Sequence, residues 1–173
     1  MIFIDMDGTL AKIYQKDNYM EKMFEPSFFV DLEPYKWVEE LNKYAENRDD
    51  IFILSACIDT PFCKEEKRVW LRTYLPNIPL DRYLFVDYGK SKADYIQENF
   101  SNSRDYMILI DDYSKNLYDW QMTSYNYISI KFVNEVNDQS GKFYKYKIKN
   151  FKDFKKIIEK LDKNAWQSKQ VMI

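Results

Sequence analysis

No histidine occurs in this 173-residue chain, which excludes histidine-based catalytic triads and the usual zinc sites. Its two cysteines, Cys57 and Cys63, are too few for a disulfide framework and wrongly spaced for a metal knuckle. No apolar run approaches the roughly 18 residues that a membrane-spanning helix needs. Acidic side chains by position 5 make the start unlike a signal peptide. The formal net charge of −2 argues against general affinity for nucleic acid or anionic membranes. Internal repeats, low-complexity tracts and linkers are also missing. The expectation is a cytoplasmic chain with neither membrane nor nucleic acid as its partner.

What is present is core-forming material. Hydrophobic residues make up 46% and aromatics 18%, so disorder is excluded and one domain over 1–173 is expected. Short apolar runs alternate with stretches of helical periodicity. The runs 2–4, 51–54, 82–86, 106–110 and 127–133 read as strands buried within a mostly parallel sheet. A helix is expected just after Glu33, with Pro34 at an early position and an apolar stripe of Trp37, Val38, Leu41, Tyr44 and Ala45. A second is expected over 61–75, capped by Asp59 or Thr60, and others open near Ser91 and Ser114.

Residues 11–33 are irregular and rich in aromatics (Tyr14, Tyr19, Phe24, Phe28 and Phe29), with Pro26 breaking any long helix. They predict a small cap over the crevice. Residues 137–141 predict a turn and 142–148 a hairpin partner for the fifth strand. A last amphipathic helix carries Phe151, Phe154, Ile157, Ile158 and Leu161. The fold class expected is α/β: a Rossmann-like, mostly parallel five-stranded sheet flanked by helices, with right-handed crossovers and a C-terminal β-hairpin.

The chemistry concentrates where strands end. Asp5 and Asp7 follow the first strand, Ser55 the second, and Asp111 and Asp112 the fourth. Parallel strands bring their carboxyl ends to one edge, so these residues meet despite their separation in sequence. Two carboxylates held close repel, and a hard cation such as Mg2+ resolves that repulsion with carboxylate and phosphate oxygens. One carboxylate can then attack phosphorus while the other moves protons. Gly8 allows close backbone approach to an anion, and Thr9 offers a hydroxyl. An EF-hand-type loop would continue with more acidic ligands, whereas this chain continues Thr9-Leu10-Ala11-Lys12-Ile13.

Asp5-Met6-Asp7-Gly8-Thr9-Leu10 resembles the first motif of the haloacid dehalogenase-like (HAD) phosphatase superfamily. Residues 51–55 are similar to its second motif and Ile108-Leu109-Ile110-Asp111-Asp112 to its fourth. Lys90 and Lys92 are the candidates for its third, and Lys92 is preferred because it directly precedes the helix start at Ala93. Within the superfamily the chain is most similar to the 5'(3')-deoxyribonucleotidases and their small bacterial and phage relatives. That likeness lies in residues 3–11, in Phe28-Phe29 leading to Leu32-Glu33-Pro34, and in Ile130-Lys131-Phe132-Val133-Asn134.

The resemblance implies a Mg2+-dependent phosphatase working through an aspartyl-phosphate. Asp5 would be the nucleophile and Asp7 the general acid and base, with Ser55 and Lys92 completing the catalytic set. Gly8, Thr9, Ser55, Ala56, Lys90 and Lys92 would contact substrate, and Asp5, Asp7 and Asp111 or Asp112 would hold the metal. The substrate implied is a small phosphorylated molecule, a nucleoside monophosphate before a sugar phosphate, with cap aromatics available to stack on a base. A nucleic-acid end phosphatase would need the lysines 142, 145, 147, 149, 152, 155 and 156 as its footprint, but these read better as the solvated faces of a hairpin and a helix, balanced by acids elsewhere. A non-catalytic binding module remains the other class, and both aspartates of the first pair stand against it.

Overall fold

In the computed structural model the apolar runs become strands of one parallel sheet. It describes residues 1–100, 106–137 and 145–170, with side chains as far as Lys163. In chain order the elements are β1 (Ile2–Ile4), α1 (Tyr19–Lys22), α2 (Trp37–Ala45), β2 (Ile51–Cys57), α3 (Cys63–Tyr74) and β3 (Tyr83–Asp87). There follow α4 (Lys92–Asn99), β4 (Met107–Asp111), α5 (Ser114–Thr123), β5 (Tyr127–Phe132), β6 (Tyr146–Ile148) and α6 (Phe151–Gln170). The sheet order is β3-β2-β1-β4-β5-β6, with every pairing parallel. The order runs one way from β1 to β3 and the other way from β4 to β6, so the switch point lies between β1 and β4. Ligand crevices in open α/β sheets form there, beyond the carboxyl ends.

The alternation of strand residues sorts two cores. Ile2 and Ile4, Ile51 and Ile53, and Ile108 and Ile110 face α2, α3 and α6, packing with Trp37, Leu41, Trp70, Leu71, Phe154 and Ile158. Phe3, Leu54, Met107 and Leu109 face α4 and α5, with Ile96, Leu117 and Trp120. This is the period-2 consequence of a strand covered on both faces. The buried indoles of Trp37, Trp70 and Trp120 donate to the carbonyls of Thr9, Leu32 and Met107 at 2.9, 2.7 and 3.0 Å. Three large side chains thus enter the cores with no polar group stranded.

Three expectations are corrected. The sheet has six strands, and residues 146–148 pair parallel with β5, Ile130 opposite Tyr146 and Phe132 opposite Ile148. The C-terminal hairpin is therefore replaced by a crossover, which the intervening dozen or so residues are long enough to make. Of the turn expected over 137–141, only Asn137 lies within the described residues. Pro34 is not helical, since 33–35 run extended and bridge back to the loop after β1. Lys12 N–H bonds the Glu33 carbonyl and Tyr35 N–H the Leu10 carbonyl, at 2.9 and 2.8 Å. Last, β2 continues to Cys57, so Ser55 sits inside the strand.

The segment expected as a cap holds one short 3-10 turn, Ile13–Gln15, and the four-residue α1. Its far end is pinned to α3, because the Glu66 carboxylate accepts from the N–H groups of Ser27 and Phe29 at 2.5 and 3.1 Å. Phe28 and Phe29 are core residues, while Met20 and Phe24 are exposed. Among the described residues no helix is long and apolar enough to cross a membrane.

Candidate active site

β1 is too short to carry a carboxylate far from the sheet, and Asp5 lies just past its end, held by its own N–H to the Ile110 carbonyl at 2.9 Å. The chain then doubles back. The carbonyl of Met6 accepts from Leu10 and Ala11, and Gly8 N–H reaches the Ala11 carbonyl. Gly8 makes this bend possible at φ +78°, and a Cβ there would lie 2.5 Å from Oδ2 of Asp112.

Asp5, Asp111 and Asp112 are buried and can present oxygens within 4.8 Å of one another. Lys92, at the start of α4, reaches into them. Its Nζ stands 2.5 Å from Oδ1 of Asp5 and 2.7 Å from Oδ2 of Asp111, at 3% exposure. Asp111 is further committed. Its Oδ1 accepts from Tyr113 N–H at 2.7 Å and its Oδ2 from Asn116 at 2.9 Å. Asp112 takes both its donors on Oδ2, from Tyr14 at 2.8 Å and Asn134 at 3.0 Å. Its Oδ1 accepts no hydrogen bond among the described residues.

Asp7 faces a second ammonium. Lys67 of α3 pairs with Oδ2 of Asp7, and also donates to Ser55 Oγ at 3.1 Å and the Ala56 carbonyl at 2.5 Å. Its Nζ lies 4.6 Å from the centre of the Phe29 ring. The other oxygen of Asp7, Oδ1, is buried without a partner among the described residues.

The electrostatics are unbalanced by design of the fold. Burial, partly countered by Lys92, and then repulsion from Asp111, Asp7 and Asp112, hold the Asp5 carboxyl well above its ordinary value. Asp112 is pushed up to about 7, by burial first and Asp111 second, against the hydrogen bonds of Tyr14 and Asn134. Burial alone would lower Lys92, but Asp111 and Asp5 raise it instead. The three carboxylates outnumber the ammonium groups that act on them, Lys92 in contact and buried Lys131 at longer range, so negative charge is in excess in a buried place. A divalent cation matches that donor set in charge and in its hard oxygen ligands, so the residues fit Mg2+.

The structure therefore brings together Asp5, Asp7, Ser55, Ala56, Lys92, Asp111 and Asp112. It does not bring Lys90, which is exposed and pairs with Asp87 at 3.0 Å. Lys90 instead lines a depression of about 480 Å3 beside α4, together with Phe85, Asp94 and Tyr95. Thr9 is fully buried, and its hydroxyl has no partner among the described residues. Lys67, Asn116 and Asn134 escaped the sequence reading as site residues, and Tyr14 entered it only as a cap aromatic available to stack on a base. For Lys67 a signal exists. The apolar stripe of α3 runs Cys63, Lys67, Trp70, Leu71, and a lysine in an apolar register is a lysine with a partner indoors.

Comparison with known proteins bears on the fold and the family. Two relatives from strains of Staphylococcus epidermidis carry the provisional name 5'(3')-deoxyribonucleotidase. One is 31% identical over 67% of this chain and 58% of its own length. The other is 28% identical over 83% and 70%. The chain thus spans less than two thirds of the first relative. Among solved structures, a phosphoserine phosphohydrolase-like protein from Francisella tularensis superposes with a TM-score of 0.63 at 15% identity, covering 91% of this chain and 98% of that one. A D,D-heptose 1.7-bisphosphate phosphatase from B. bronchiseptica, complexed with magnesium and phosphate, gives 0.63 at 8% identity, covering 92% and 98%. These two share the fold. The family profile described as 5' nucleotidase, deoxy (pyrimidine), cytosolic type C protein matches residues 14–164. The match takes in most of the sheet, both lysines of the site and the Asp111-Asp112 pair, and the chain belongs to that family of HAD-like proteins.

Proposed function

We propose that this chain is a Mg2+-dependent phosphatase of phosphomonoesters, acting on nucleoside monophosphates. The observation that carries the reading is the facing of two ammonium groups on two aspartates, Lys92 on Asp5 and Lys67 on Asp7, beside a buried carboxylate excess. That is a site for a dianionic group that is attacked by one carboxylate and protonated by another. The nucleotide preference rests on the family and on the names of its relatives.

Asp5 attacks phosphorus and forms an aspartyl-phosphate as the bond from phosphorus to the leaving oxygen breaks. Asp7 gives a proton to the leaving alkoxide, then takes one from the water that hydrolyses the intermediate. Lys67 holds Asp7 in place and, with Ser55, meets the phosphoryl oxygens on that side. Lys92 neutralises charge on the other side. The N–H groups of Met6 and Asp7 have no acceptor among the described residues and complete the cradle. Mg2+ would be held by Asp5, the backbone carbonyl of Asp7 and Asp112, whose Oδ1 is uncommitted while both oxygens of Asp111 are taken. When bound, it supplies charge neutralisation and orientation of the phosphoryl group.

The test is phosphate release from a panel of mononucleotides and sugar phosphates, with Mg2+, with EDTA, and with Asp5→Asn. Metal-dependent release that favours mononucleotides and disappears in the variant supports the whole reading. Broad release without that preference moves the assignment to a phosphatase of other small metabolites. No release from any compound by the Mg2+-loaded protein refutes it.

A further inference from the structure

Tyr14 belongs to the segment over the crevice, yet its hydroxyl donates to Oδ2 of Asp112 at 2.8 Å, across 98 residues of sequence. The contact is built from several sides. A Cβ on Gly8 would lie 2.5 Å from that same oxygen and 2.6 Å from the Tyr14 ring, so the ring and the carboxylate both press on the bare glycine. Asn134 closes the other side, bonding Oδ2 of Asp112 and the carbonyl of Gly8 at 3.0 and 2.9 Å. Tyr14 in turn meets Tyr19 edge-on, ring centres 5.3 Å apart. The rest of the anchoring is shallow, because α1 fully buries none of its residues and Tyr14, Tyr19 and Met23 pack against the core while only partly buried.

We propose that Tyr14 is a positioning residue which couples divalent-cation binding at Asp112 to the seating of residues 14–22 over the site. The inference rests on the cation reading of the site given above. With Oδ2 tied to Tyr14 and Asn134, the carboxylate is oriented before a cation arrives, and Oδ1 is the oxygen left to meet it. A hydrogen-bonding partner behind a metal-binding carboxylate typically contributes about 10–100-fold in affinity. The coupling is reciprocal: whatever Tyr14 adds to cation binding, the bound cation returns as stability of the seated segment.

The experiment is calorimetric titration with Mg2+ of the wild type, Tyr14→Phe and Tyr35→Phe. Tyr35 is the control, since its hydroxyl makes the same kind of bond at 2.8 Å to Glu135 and, although Asp112 is near enough to act on it electrostatically, it donates to none of the three clustered carboxylates. Tyr14→Phe is expected to raise the Kd for Mg2+ about tenfold, and Tyr35→Phe to leave it within about twofold. Amide exchange adds a second readout. Mg2+ should slow exchange across 14–22 in the wild type and fail to do so in Tyr14→Phe. Equal Mg2+ affinity in wild type and Tyr14→Phe overturns the inference alone, including when Tyr14→Phe merely melts earlier without metal. A wild type that binds no Mg2+ overturns the cation reading and the inference with it.

Discussion

The two ends of the sheet use charge in opposite ways. At the amino end, Arg48 lies against Asp50 just before β2, with its fork at 2.7 and 2.6 Å from the two carboxylate oxygens. The same guanidinium reaches the Tyr44 hydroxyl at 2.6 Å, and Arg82 donates to the Arg48 carbonyl at 3.1 Å. The guanidinium also reaches Asp162 at 3.4 Å, and all three side chains remain partly in water. At the carboxyl end, Lys92 meets two carboxylates with a third alongside, and all four are buried. The protonation of two aspartates records the difference. Burial would raise Asp50, but the bonds of Arg48 outweigh it and bring its carboxyl below the ordinary value. Asp5 goes the other way. Ion pairs that keep part of their hydration add modest stability, whereas a buried cluster in which carboxylates outnumber cations is the kind of place where function concentrates.

Four substitutions sharpen that contrast. Asp5→Asn should lower phosphate release by about 10^4-fold while the melting temperature of the metal-free protein holds or rises, because one buried negative charge is gone. Release assays and thermal melts on the same preparation check both halves, and a clear drop in melting temperature would contradict the second. Lys92→Met removes the ammonium that touches two of the three carboxylates and should cost about 3–5 kcal/mol by urea unfolding, with Mg2+ restoring part of it. Lys67→Met leaves Asp7 and Ser55 without their cation and should lower kcat/KM by roughly 100-fold.

Arg48→Ala is the smallest case, at about 1 kcal/mol with turnover unchanged. Its pH dependence has a definite sign. Asp50 is lowered in the folded state, so the pair's contribution is full above the ordinary carboxylate pKa of about 3.9 in the unfolded chain. It disappears as pH falls through the still lower folded value. Wild type and Arg48→Ala should therefore converge in stability in acid and diverge toward neutrality, as parallel denaturation series would reveal.

Much of the fold was legible in local pattern. The apolar runs 2–4, 51–54, 106–110 and 127–133 supplied strands because residues buried on both faces leave no polar alternation. Ser91 caps α4 through the Asp94 N–H at 3.1 Å, as its residue type and place foretold. The strand β6 was not legible in its true pairing. Three residues, Tyr146–Ile148, carry too little periodicity to distinguish a hairpin partner from a parallel neighbour, and only packing against β5 and α6 decides it. Pro34 misled for a different reason. A proline suits the first turn of a helix, and it suits an extended bridge equally well.

The sequence by itself determined the alternating α/β plan, the two-aspartate turn after β1, and the delivery of carboxylates to one sheet edge. These follow from residue type and spacing, which act over a few positions at a time. Only the tertiary structure decided that Lys92 enters the cluster while Lys90 stays outside, that Lys67 serves Asp7, and that Tyr14 takes one oxygen of Asp112. Those pairs lie 87, 60 and 98 residues apart. Local periodicity does not reach that far, and a buried charge finds its partner only when the sheet has closed around both.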